Sequence, residues 1–133
     1  MTTLKIPNNI FEQMVTQAEK AAPVEACGIL AGRNGLTEKL YEMTNADNSS
    51  EHFTMMPEEQ FAAAKNMRAE ELEMLAVYHS HPATPARPSQ EDIKLAVMPD
   101  ATYVILSLAQ EKPCAKAFKI AQGTVTEMPL TIV

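Results

Sequence analysis

Three short, nearly continuous apolar runs constrain this chain most: ACGILA at residues 26–31, MLAVY at 74–78 and YVILSL at 103–108. A strand with one wet face alternates apolar and polar residues, so runs like these predict strands covered on both faces. They are too short to cross a bilayer, which takes about 20 apolar residues in a helix. Covering both faces of a sheet takes helices, and the intervening segments carry helical patterns. The expectation is one α/β domain over residues 1–133, with a mixed β-sheet flanked by helices.

The rest of the chain fills in this frame. Residues 3–6 read as a short first strand. Ile10, Phe11, Met14, Val15, Ala18, Ala21 and Ala22 recur at helical spacing, with Asn9 as expected N-cap, Glu12 as its capping-box partner and Pro23 as terminator. Asn34-Gly35 is a hairpin signal before a strand at 37–44, and residues 45–52 are a polar loop holding Asn45, Asn48 and His52. Pro57, Glu58 and Glu59 open a second helix that runs to about Glu71. A third helix is expected at 89–97. Residues 115–121 and 124–128 pair across Gln122-Gly123, and 130–133 read as an extension of the last strand. The net charge is −6 with Lys and Arg scattered, the wrong sign for a nucleic-acid platform or an anionic membrane. Cys27 and Cys114 follow no disulfide or metal spacing and are expected as free thiols. The opening MTTLKIPNNI has no signal-peptide core, which predicts a cytoplasmic chain.

Chemistry concentrates around residues 79–92. His79 and His81 stand two apart at the end of a predicted strand, so both point to one side and can converge on a metal ion. The spacing alone is weak evidence. Beyond a loop stiffened by Pro82, Pro85 and Pro88 comes Ser89-Gln90-Glu91-Asp92. Ser89 and Asp92 read as a helix cap and its partner, which is compatible with Asp92 supplying a third, anionic ligand. Two imidazoles and a carboxylate make an open zinc site, whereas structural zinc sites have four protein ligands, often thiolates. A hydrolytic zinc also needs a proton acceptor beside its water. Glu25, where a loop enters the sheet, is one candidate among several glutamates.

Glu25, His79-Ser80-His81, Ser89 and Asp92, with PVEACGIL and HSHPATPARPSQEDIKLA around them, resemble the JAMM (MPN+) metalloprotease motif in its small prokaryotic form. The resemblance implies the family's cytidine-deaminase-like α/β/α fold and one Zn²⁺ per chain held by His79, His81 and Asp92. It also implies Glu25 as general acid/base and Ser89 as the hydroxyl that binds the oxyanion. A deaminase proper would need a Pro-Cys-x-x-Cys segment, which is absent. So are the long insertions with which the family's dedicated deubiquitinases grip ubiquitin. The implied function is therefore hydrolysis after the C-terminal Gly-Gly of a ubiquitin-like or sulfur-carrier protein. Glycine alone lets an extended backbone pass so close to a metal, and edge-strand pairing would hold such a tail. The alternative is a catalytically silent module that binds the tail. An exposed sheet edge is compatible with a homodimer.

Overall fold

The three apolar runs become adjacent central strands of one sheet. The computed structural model describes residues 2–133. In chain order the elements are β1 (Leu4–Ile6), α1 (Asn8–Ala21), β2 (Cys27–Arg33), β3 (Leu36–Met43), α2 (Pro57–Ala69) and β4 (Glu73–His81). There follow α3 (Gln90–Leu95), β5 (Thr102–Ser107), β6 (Cys114–Ala121), β7 (Thr124–Met128) and β8 (Leu130–Ile132). The strand order is β7-β6-β5-β4-β2-β3-β1-β8, so β5, β4 and β2 lie side by side in the middle. β4 runs antiparallel to β2 and parallel to β5, which makes the sheet mixed as expected.

Each face has its own apolar layer, because side chains alternate across a strand. On one face Ile10, Met14 and Ala18 of α1 pack on Leu30, Tyr78, Val104 and Leu106. On the other, Ala63 and Met67 of α2 cover Ile29, Val77, Ile105 and Ile120. The register pairs Cys27 with His79, so both histidines of β4 fall on the α2 side. Cys27 is buried and Cys114 half-buried, and both are free thiols. Among the described residues no helix is long and apolar enough to cross a membrane.

Three details differ from expectation. Asn9 is not the cap of α1: Pro7 is, and it makes no side-chain capping bond. The Pro7 carbonyl receives the N–H groups of Ile10 and Phe11, while the Asn8 N–H donates to the Val133 carbonyl at 2.8 Å. A tertiary contact thus replaces the local cap. That contact exists because residues 130–133 do not extend β7. Pro129 interrupts the strand, and β8 pairs in parallel with β1, matching Leu4 to Leu130 and Ile6 to Ile132. One residue therefore joins the two edge strands of the sheet, whose ends meet at this corner. Finally, α3 stops at Leu95 rather than at residue 97, because Ala96 is already extended (φ −77°, ψ 96°).

Gly28 sits where β2 threads between two tyrosines. A Cβ there would lie 2.7 Å from the Tyr41 carbonyl oxygen and 2.9 Å from the Tyr78 ring. Tyr78 is fully buried and donates its hydroxyl to Gln17 on α1, so the ring has nowhere to go. Gly28→Ala is expected to cost about 1–3 kcal/mol, the scale of overpacking a filled core. Urea unfolding checks it, and an unchanged midpoint would contradict this packing.

Candidate functional site

The strand period puts His79 and His81 on one face with only 2 % exposure each. Ser80, between them, faces the other way. Its hydroxyl accepts the Ala26 N–H at 2.8 Å and its own N–H donates to the Ala26 carbonyl at 2.9 Å. Those two bonds stitch the end of β4 to the residue after Glu25. Asn45 holds the segment from the opposite side, its side-chain amide donating to the carbonyls of Glu25 (3.1 Å) and His52 (3.0 Å). Glu25 is thereby fixed with 3 % exposure at the mouth of the sheet.

Asp92 arrives on the first turn of α3. A six-residue helix is marginal on its own, and a capping box secures this one. The Asp92 N–H donates to Ser89 Oγ at 3.0 Å, and the Ser89 N–H donates to Asp92 Oδ2 at 2.9 Å. Glu25, His79, His81 and Asp92 are thus brought together and buried. Ser89 adjoins them through Asp92, and it is exposed to solvent.

The histidine geometry decides what the cluster can hold. His81 Nδ1 lies 2.8 Å from the Pro85 carbonyl, which can only accept, so Nδ1 carries the proton. In the neutral ring Nε2 then presents a lone pair, and it faces Asp92 Oδ2 at 2.9 Å. His79 Nε2 lies 3.2 Å from His81 Nε2 and 3.2 Å from Asp92 Oδ1. Acceptors so close need a proton or a cation among them. Tetrahedral zinc with ligands at roughly 2.0–2.1 Å would separate them by about 3.3 Å, close to the observed spacings. These donors fit a zinc ion. The ring of Phe53 stacks on His79 at 4.9 Å between centroids and limits its rotation.

Electrostatics separates the two carboxylates. Burial pushes the Asp92 carboxyl up, but the close His79 and His81 rings and the Ser89 N–H outweigh it and hold Asp92 well below the usual carboxylate range. Glu25 goes the other way. Burial first, then the Asp92 charge, pushes it up to about 8, against a smaller pull from His81. One of its oxygens is buried without a partner. Ligand atoms of Glu25, His79 and His81 also lie within 4.8 Å of one another, so Glu25 is within reach of whatever the histidines hold. Burial lowers the His79 pKa, and Asp92 only partly offsets it. Burial also lowers that of His81, but the bonds to Asp92 and Pro85 prevail and raise it.

Sequence reading missed Ser80, Asn45 and Phe53 as parts of the site. Nothing local marks them. Ser80 matters through a pairing 54 residues away in sequence, Asn45 lies in a loop that reads only as polar, and Phe53 just follows that loop. His52, expected at the surface, is half-buried and bonded to Asp47 at 2.9 Å.

Comparison with known proteins gives this arrangement a family. The family model described as prokaryotic homologs of the JAB domain matches residues 7–121. The chain is 37 % identical to a CysO-cysteine peptidase of Mycobacterium tuberculosis, over 98 % of this chain and 91 % of that protein. It is 33 % identical to a desampylase of Pyrococcus furiosus over 70 % and 66 % of the two chains. A Desulfitobacterium hafniense protein solved in solution is 43 % identical and superposes with a TM-score of 0.90, covering 97 % of this chain and 92 % of that one. A JAB1/MPN domain protein from Archaeoglobus fulgidus shares the fold at 19 % identity (TM-score 0.64, 98 % and 99 % covered). With its HSH strand end, capped Asp92 and buried Glu25, this chain belongs to the small prokaryotic branch of the JAB (JAMM/MPN) family.

Proposed function

We propose that this protein is a zinc peptidase that hydrolyses the bond after the C-terminal Gly-Gly of a ubiquitin-like or sulfur-carrier protein. One observation carries the reading: two imidazole nitrogens and a carboxylate oxygen gathered at 2.9–3.2 Å, beside a buried glutamate with a free oxygen. Relatives named CysO-cysteine peptidase, desampylase and probable TtuB-protein conjugate cleaving protease support the substrate class. His79, His81 and Asp92 would hold the metal. Zinc there would supply a Lewis acid and lower the pKa of a nearby water to about 7.

The chain's own groups do the rest. Pro85 fixes the His81 tautomer, so that Nε2 is available as a ligand. Asp92, ionised and braced by the Ser89 N–H, brings the negative charge that a dication needs. Glu25 takes the proton of the attacking water and gives it to the departing amine. A cation beside it would lower its pKa from about 8, which suits a group that must both accept and release a proton near neutrality. Ser89 Oγ accepts from Asp92 N and keeps its own proton free to donate to the substrate's developing oxyanion.

Glu25→Gln preserves shape but cannot carry the proton. Turnover of a carrier extended beyond Gly-Gly, followed by mass spectrometry, is expected to fall by about 10²–10⁴-fold with zinc retained. Undiminished cleavage would mean another base. Wild-type protein that binds zinc and tail but never cuts would make it a binding module instead.

Ser89→Ala separates cap from catalyst. Loss of an oxyanion donor is expected to cut kcat by about 10²–10³-fold. Loss of the cap alone would cost about 1 kcal/mol of stability and leave kcat nearly intact. Measuring kcat and Tm on the same variant decides between them.

A further inference from the structure

The carbonyl that fixes the His81 tautomer belongs to Pro85, which is exposed in the loop between β4 and α3. An exposed loop is a poor support from which to aim one acceptor at one ring nitrogen. The end of β5 makes up for it. Ser107 is 3 % exposed and pairs with His81 across the sheet. Its hydroxyl accepts the Ala109 N–H at 3.1 Å and donates its proton to the Thr84 carbonyl, 2.6 Å away. The Leu108 N–H donates to the His81 carbonyl at 3.1 Å. The His81 backbone and the loop beside its ring thus hang from the same three residues, Ser107, Leu108 and Ala109.

Thr84 immediately precedes Pro85, and that leaves the chain little freedom. A held Thr84 carbonyl fixes the plane of the Thr84–Pro85 peptide. The proline ring fixes the next torsion, φ of Pro85, at about −65°. Only ψ of Pro85 remains to aim its carbonyl, and the Arg87 N–H, donating to that oxygen at 2.9 Å, restricts it. The other histidine has no such support: His79 Nδ1 is buried without a partner, and its ring rests on Phe53 instead.

We propose that Ser107 is a positioning residue for the metal centre: through Thr84 and Pro85 it selects the His81 tautomer that offers Nε2 to zinc. The inference rests on the zinc reading above and names the residue that prepares one of its ligands. The Ser107 hydroxyl is spent on Thr84 and Ala109, so its influence reaches the site through this relay. Without the hydroxyl, the carbonyl of the exposed Thr84 is free to turn to water. The peptide plane is then released and the Pro85 oxygen leaves Nδ1. The ring proton can move to Nε2, where it occupies the lone pair that a cation needs.

The test compares the wild type with Ser107→Ala and, independently, with Pro85→Gly, which frees the locked torsion while Ser107 stays. Zinc affinity is read by competition with a chromophoric chelator. The His81 tautomer is read in metal-free protein by ¹⁵N NMR, at a pH where both rings are neutral. Each variant is expected to bind zinc about 10–100-fold more weakly, the scale for removing a partner behind a metal ligand. Each is also expected to move the ring proton from Nδ1 towards Nε2, a shift that a mere loss of packing would not produce. An unchanged tautomer in either folded variant overturns the proposal, as does a zinc affinity equal to that of the wild type. Pro85 is exposed, so Pro85→Gly decides the matter even if Ser107→Ala fails to fold by circular dichroism. Neither readout uses a substrate, so failure of the peptidase reading leaves both standing. A wild type that takes up no zinc, with a tautomer that still follows Ser107, keeps the relay and overturns the metal reading.

Discussion

Everything near the site depends on one electrostatic constraint: at the end of β4, acceptor atoms of His79, His81 and Asp92 face each other within 3.2 Å, away from water. Lone pairs at that distance repel unless positive charge lies among them. The surroundings enforce the arrangement instead of relieving it. The Pro85 carbonyl holds the proton of His81 on the far nitrogen, Phe53 lies against the His79 ring, and the capping box keeps Asp92 turned inward. Such preorganisation, bought with folding energy, is characteristic of sites that bind a cation.

The same constraint explains the division of labour between two carboxylates. Asp92 accepts the Ser89 N–H, has a histidine Nε2 against each oxygen and remains ionised, so it acts as fixed charge. Glu25 is buried with an unpartnered oxygen and its pKa is pushed up to about 8, which fits the proton-carrying role proposed for it. A buried pair of acids whose environments push their pKa values apart is the usual signature of acid–base chemistry.

Much of this was legible in the sequence, for physical reasons. The apolar runs had to be central strands, and the HSH strand end had to put two imidazoles on one face. Ser89 and Asp92 sit three apart before an apolar helix, the spacing of a capping box, and form one. Glu25 became distinctive only through resemblance, since it is held by backbone bonds to residues 45 and 49, and its neighbour Ala26 by Ser80, none of which a local pattern encodes. The two ends of the chain failed for the same reason. Asn9 had the right chemistry for a cap, but the C-terminal strand reached the helix start first and satisfied it. Pairing between β1 and β8 spans the whole domain, and short-range periodicity carries no trace of it.

The most direct test of the account is a crystal structure of the zinc-loaded protein, with anomalous data at the zinc edge. One peak per chain is expected, within bonding distance of His79 Nε2, His81 Nε2 and one Asp92 oxygen, at about 2.0–2.2 Å. Glu25 should stand next to the remaining position without bonding the metal. A peak elsewhere, or one ligated by Glu25 in place of Asp92, would contradict the assignment of charge and proton to the two acids.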